Sequence, residues 1–93
     1  MRTHGWMITK DHLDGQDAEV CGPSNINSAT MTRLINGGGE KFRMYDDDGI
    51  LYYSGRMIHD DDTDGFEPLD DFGGPNSGCT RLDYLSNGQW ETL

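Results

Sequence analysis

The sequence predicts an α+β domain, an antiparallel sheet of four or five strands carrying one short helix and one helical turn. Three observations carry that expectation. Two stretches alternate apolar and polar residues around turn-forming dipeptides: Phe42–Met57 around Asp48-Gly49, and Cys79–Leu93 around Asn87-Gly88. Residues 28–36 set Met31, Leu34 and Ile35 at the i, i+3, i+4 spacing of a helical stripe. Aromatic residues sit inside these patterned segments, although hydrophobic content is only 33% and glycine numbers 13. A chain of 93 residues makes one domain, 1–93, with one core and modest stability.

Taken in order, Gly5–Lys10 carries Trp6, Met7, Ile8 and Thr9 and reads as a first strand. Residues 11–27 are rich in turn formers, Asp14-Gly15, Gly22-Pro23 and Ser24-Asn25, and read as one long irregular stretch pinned to the core by Val20 and Ile26. In the helix that follows, Ser28 or Thr30 can cap the free amides of the first turn. Gly37-Gly38-Gly39 ends it.

The central hairpin comes next. With an even loop, Phe42 and Met44 share a face with Leu51, Tyr53 and Met57, while Arg43, Tyr45, Tyr52, Ser54 and Arg56 take the other. Residues 59–65 form an acidic loop, and Phe66–Phe72 a single helical turn with Phe66, Leu69 and Phe72 as its apolar edge; Gly73-Gly74-Pro75-Asn76 breaks it. In the last hairpin a two-residue loop sets Leu85 opposite Trp90 and leaves Leu82, Tyr84 and Leu93 on the other face.

Charge limits the function. The net charge of −10 excludes a conventional nucleic-acid binder, which needs Lys and Arg to displace counterions, and disfavours an anionic membrane surface. No run of 18 apolar residues could span a bilayer. Residues 1–6 lack the apolar stretch of a signal peptide, which predicts a cytoplasmic location with Cys21 and Cys79 as free thiols.

Ten of the 17 acidic residues fall within 42–71. One aspartate suffices to make a hairpin turn, so Asp46, Asp47 and Asp48 together carry more charge than the turn needs. Asp60, Asp61, Asp62, Asp64, Glu67, Asp70 and Asp71 extend the acid surface, and Tyr45 and Tyr52 offer aromatic anchors. Such a surface is steered towards basic clefts, and the proteins with large basic clefts are those that grip DNA or RNA. Arginines that hold phosphates pair equally well with carboxylates.

The leading expectation is therefore a non-enzymatic inhibitor that blocks a basic nucleic-acid-binding cleft, with mimicry of the nucleic acid as one way to do so, without touching nucleic acid itself or a membrane. A second reading is a calcium-binding module. Asp60-Asp61-Asp62-Thr63-Asp64-Gly65 fits the D-x-D-x-D-G opening of a calcium loop, with Asp71 at position 12, but Glu67 and Pro68 at positions 8 and 9 and a preceding strand do not suit one. A third is a small enzyme. His4, His12 and His59 lack metal-ligand spacing with either cysteine, and Ser28, Ser54 and Ser86 lie in no nucleophile motif. No catalytic residue, metal ligand or cofactor is assigned.

Phe42–Tyr53, with its Tyr-Asp-Asp-Asp-Gly turn, and Phe66–Gly78, with Pro-Leu-Asp-Asp-Phe-Gly-Gly-Pro-Asn, resemble stretches of short uncharacterised proteins of bacteria and their phages. In size and charge the chain is similar to small phage-encoded anti-defence proteins, including anti-CRISPR and anti-restriction inhibitors. That likeness is one of type. It implies a partner among CRISPR effectors or restriction enzymes, met in the host cytoplasm, and carries over no site residues.

Overall fold

The structure is a computed structural model and describes residues 3–93. Met1 and Arg2, the start of the segment read as lacking a signal peptide, lie outside the described residues. The architecture is α+β. Six strands, β1 (Gly5–Asp11), β2 (Gln16–Gly22), β3 (Glu40–Tyr45), β4 (Leu51–Ile58), β5 (Arg81–Ser86) and β6 (Gln89–Thr92), form one antiparallel sheet in the order β2-β1-β4-β3-β5-β6. Helix α1 spans Ser28–Ile35. A π-helical turn, Leu69–Gly73, runs directly into the short α2, Gly74–Ser77. Among the described residues no helix is long and apolar enough to cross a membrane.

The sheet has one strand more than the sequence suggested. Residues 16–22, expected to be irregular, form β2, returning from β1 through a turn at Gly15 (φ 66°). Val20 does not pin this segment to the core; it is exposed, whereas Ile26 packs beside Met7 and Leu34. The cap of α1 is Asn27, one residue before the expected Ser28: its Oδ1 accepts from Thr30 N at 2.7 Å. Thr30 is buried and instead donates to Thr3 O. Gly73-Gly74-Pro75-Asn76 does not break the second helical segment. Helical backbone passes through it: Gly73 (φ −63°, ψ −45°) and Gly74 (φ −63°, ψ −60°) both stay right-handed, and Gly73 also gives room to the core, since a Cβ there would stand 2.6 Å from Met44 Sδ.

Pleat parity sorts the core. A transverse row runs Ile8–Gly55–Phe42–Tyr84 across four strands. Gly55 is obligatory there, since a Cβ would meet Met7 O at 2.1 Å and Phe42 Cζ at 2.6 Å. The β3–β4 loop has five residues, 46–50, and so breaks the even-loop condition. A bulge that inserts Tyr52 restores parity: Tyr45 pairs with Leu51 but Met44 with Tyr53. Phe42, Met44, Tyr53 and Met57 thus share the buried face, while Leu51 is only half-buried. The segment 65–80 roofs this face. Phe72 packs against Trp6 (5.6 Å between centroids) and Tyr53 (5.0 Å), and Tyr84 donates from its hydroxyl to Gly65 O at 2.6 Å. The C-terminal hairpin has the expected register, Leu85 opposite Trp90, with Asn87 (φ 52°) and Gly88 (φ 81°) at its turn. Leu82 and Tyr84 face the core. On the other face α1 covers Met7 and Ile58 through Leu34.

Candidate functional site

The acidic residues divide by what their carboxylates hold. Asp46 builds its own loop: Oδ1 accepts from Asp48 N and Ile50 N, both at 2.9 Å. The Ile50 amide above all, with the Tyr52 hydroxyl, draws its carboxyl below the usual range. Tyr52 is thereby tied to Asp46 and packs on the core, so it stands less freely than an anchor would. Gly49 (φ 78°) donates to Asp46 O, and Asp48 keeps a negative φ, so within the five-residue loop Asp48-Gly49 is not the positive-φ pair that this dipeptide suggested. Asp47 and Asp48 point to solvent, and their carboxylates accept no hydrogen bond within the described chain. Tyr45 lies beneath the Arg81 guanidinium, 4.4 Å from its ring centre.

The second run repeats the division. Asp60 Oδ2 accepts from Thr3 N (2.9 Å), His4 N (3.0 Å) and the His4 ring (3.2 Å), and Oδ1 accepts from Asp62 N (2.9 Å). These bonds, that from Thr3 foremost, hold its carboxyl down to about 2. Asp64 Oδ1 accepts from Phe66 N; Glu67 accepts from Gly65 N and Asp64 N. Asp71 Oδ2 accepts from the Trp6 indole N–H at 3.0 Å. The carboxylates at calcium-loop positions 1, 5, 8 and 12 are thus spent on the chain itself, and among the described residues no three His, Cys, Asp or Glu converge as a metal cage. Asp61, Asp62 and Asp70 are exposed, with carboxylates that accept no hydrogen bond within the described chain.

The two runs are not neighbours. Asp46–Asp48 precede β4 and Asp60–Asp64 follow it, so an eight-residue strand separates them, roughly 25 Å at a strand's rise. Asp70 and Asp71 belong to the helical roof, where Asp71 lies beside the second run and lines one cleft with His4, Asp62 and Glu67.

At the second run the fold adds acid that the sequence reading missed. Glu40, at the start of β3, and Glu91, on β6, join Asp60 and Asp64 around a cleft of about 440 Å³ that also holds His59 and Tyr84. His59 Nε2 lies 3.2 Å from Glu40 Oε2. The Tyr84 hydroxyl is pushed well above its ordinary range, by burial first and then by the charges of Glu67, Glu40 and Asp64. The hairpin register around Asn87-Gly88, which sets Glu91 opposite Tyr84, was the signal that could have found Glu91.

His4 and His12 are engaged too, His4 with Asp60 and His12 with Ser54 Oγ at 2.7 Å. Burial and the charges of Lys10 and Arg43 lower the His12 pKa. Cys21 and Cys79 are free thiols, and burial pushes Cys79 up to about 11. The described side chains form no nucleophile–base pair with a third orienting group. What fold and site define is an antiparallel α+β domain with acid at both ends of its fourth strand. Comparison with protein-family models, characterised proteins and solved structures finds no match.

Proposed function

We propose that this protein is a non-enzymatic acidic inhibitor. It binds a protein that handles nucleic acid, of the CRISPR-effector or restriction-enzyme kind, in the host cytoplasm, and occupies that protein's basic cleft. The observation that carries the reading is the acidic cleft, where Glu40, Asp60, Asp64 and Glu91 surround a space of about 440 Å³. A partner arginine entering it would trade phosphate oxygens for carboxylates. The Asp47–Asp48 tip adds a second acidic contact roughly 25 Å away, about seven phosphate-to-phosphate steps along the axis of one strand. A surface with acid at both ends suits a long basic groove better than a single basic point.

The division of carboxylates makes the reading testable without unfolding the chain. Among the described residues, Asp47, Asp48, Asp61 and Asp62 make no internal bond through their carboxylates. Changing them together to asparagine is expected to leave the melting temperature unchanged or slightly higher, because surface substitutions fall within about 0.5 kcal/mol and like-charge repulsion is relieved. The same variant should lose on the order of tenfold or more in competition with an oligonucleotide for a basic-cleft effector, with a shallower salt dependence. A second variant that adds Glu91→Gln reaches the cleft as well; affinity and salt slope unaltered in both variants would show that the acid is there for solubility.

A further inference from the structure

The sheet face opposite the helical roof is only half covered. Beyond α1 it opens as a second cleft of about 440 Å³, lined by Lys10, Lys41, Arg43, Arg56, Leu85 and Trp90 among others. Four of the chain's seven Lys and Arg residues gather here, in a chain whose net charge is −10. Register concentrates them further. Lys41 stands directly opposite Arg56 across β3 and β4, and like charges in that position destabilise a sheet. Carboxylates nearby do not resolve the conflict. Asp83 is opposite Arg43, but its oxygens are taken by Arg81 (3.0 and 2.8 Å) and Thr92 (2.8 Å). Asp17 lines the cleft at its edge, as the register partner of Lys10.

Arg56 carries a second sign of an absent partner. Its Nη2 donates to Leu34 O at 2.6 Å, yet its Nε is buried and has no acceptor within the described chain. A buried donor left unsatisfied is costly, more so on a charged group. Beside these cations, Arg43 lies 4.1 Å from the centre of the Trp90 ring, and Leu85 adds apolar wall.

We propose that this open-face cleft binds a small phosphate-bearing ligand of nucleotide size. The phosphate sits between Lys41 and Arg56, and the apolar part lies against Trp90 and Leu85. Two adjacent cations, one of them a guanidinium fork, match a phosphate, and the cleft falls within the size of ordinary ligand sites. A small anion fits better than a polynucleotide. Screening over about 8 Å lets it feel the local cations alone, whereas a long strand would run onto the acidic rims and meet the repulsion of the whole chain. The site does not depend on the inhibitor reading.

Calorimetric titration of the full chain tests this, using inorganic phosphate, adenosine 5′-monophosphate, adenosine and a single-stranded decanucleotide. Saturable binding of the monophosphate is expected, with phosphate alone weaker and adenosine weaker still. Phosphate binding as tightly as the monophosphate would support the anion seat and make the free anion its ligand. Lys41→Gln should weaken monophosphate binding on the order of tenfold while raising the melting temperature of the free protein, since it relieves the conflict with Arg56. A purely structural lysine would not move the two readouts in opposite directions. Arg43→Gln serves as the second variant, with weaker binding expected. No saturable binding up to roughly 10 mM, unchanged affinity in both variants, or a decanucleotide that binds tighter than the monophosphate would overturn the proposal.

Discussion

Trp6 and Trp90 stand on opposite faces of one sheet and meet opposite conditions. Trp6 is 4% exposed, its indole N–H held by Asp71 and its ring packed on Phe72 and against Gly22, where a Cβ would lie 2.2 Å away. Trp90 is half-buried, with a guanidinium near its ring as a principal neighbour. The alternation that sends Phe42 and Met44 to one side sends Lys41 and Arg43 to the other. On the roofed side apolar area is converted into stability. On the open side chemistry is left uncovered and available for binding, and charge conflicts that a closed core would not tolerate persist there.

The sharpest way to break this contrast is Trp6→Ala. It removes a core ring and leaves Asp71 without its indole donor. The expected loss is about 3–5 kcal/mol, a large share of what a chain this small holds. Urea unfolding followed by far-ultraviolet circular dichroism measures it. A loss under about 1 kcal/mol would mean that the roof is not the main support of the fold.

A middle effect concerns the acidic rim and its dependence on pH. Asp60 has its carboxyl at about 2 in the folded chain against an ordinary value of 3.8. An unfolded chain takes up that proton near pH 4, a folded one only near pH 2. The Asp60 contribution is therefore complete above about pH 4 and is lost as pH falls through that window. Asp46 and Asp83 are lowered as well and act in the same direction, Asp83 chiefly through Arg81. The melting temperature should fall between pH 4 and pH 2, and Asp60→Asn, which cannot titrate, should flatten part of that fall. An identical acid limb in the variant would show that Thr3 and His4 do not hold Asp60 as described. Asp61→Asn, one residue away with no such bonds, should leave the limb as it is.

That pair of neighbours shows where sequence reading stops. The class of fold, both β-hairpin pairings of the second half and the helix at 28–36 follow from alternation, glycine turns and one apolar stripe, all local signals. β2 does not. Gln16-Asp17-Ala18-Glu19 has poor strand propensity, and its charge suits an edge strand that must not recruit another. Its pairing is decided by Trp6 packing across Gly22, a contact between distant residues. The same holds at the acid runs. Nothing in a row of aspartates tells which one turns inward. Loop geometry chooses Asp46 and Asp60, and register alone brings Glu40 and Glu91 to the second run. The basic cleft was half legible: Arg43 and Arg56 fall on one face by parity, but their company with Lys10, Lys41 and Trp90 needed the strand order.

The smallest expected effect returns to the second tryptophan. Trp90→Ala removes a half-buried ring and one cation–π contact with Arg43, a contact worth about 0.5–1 kcal/mol at exposed sites. Its strand β6 is short and lies at the sheet edge, so little else depends on the ring. Stability should fall by about 1 kcal/mol, several times less than for Trp6→Ala, in the same urea titration. Equality of the two losses would mean that the open face is closed after all, by tighter packing or by a second chain seated on it. A dependence of the Trp90→Ala loss on protein concentration would separate these, since only association responds to mass action. A small, concentration-independent loss would instead leave the cations of that face where the register puts them, uncovered and in want of an anion.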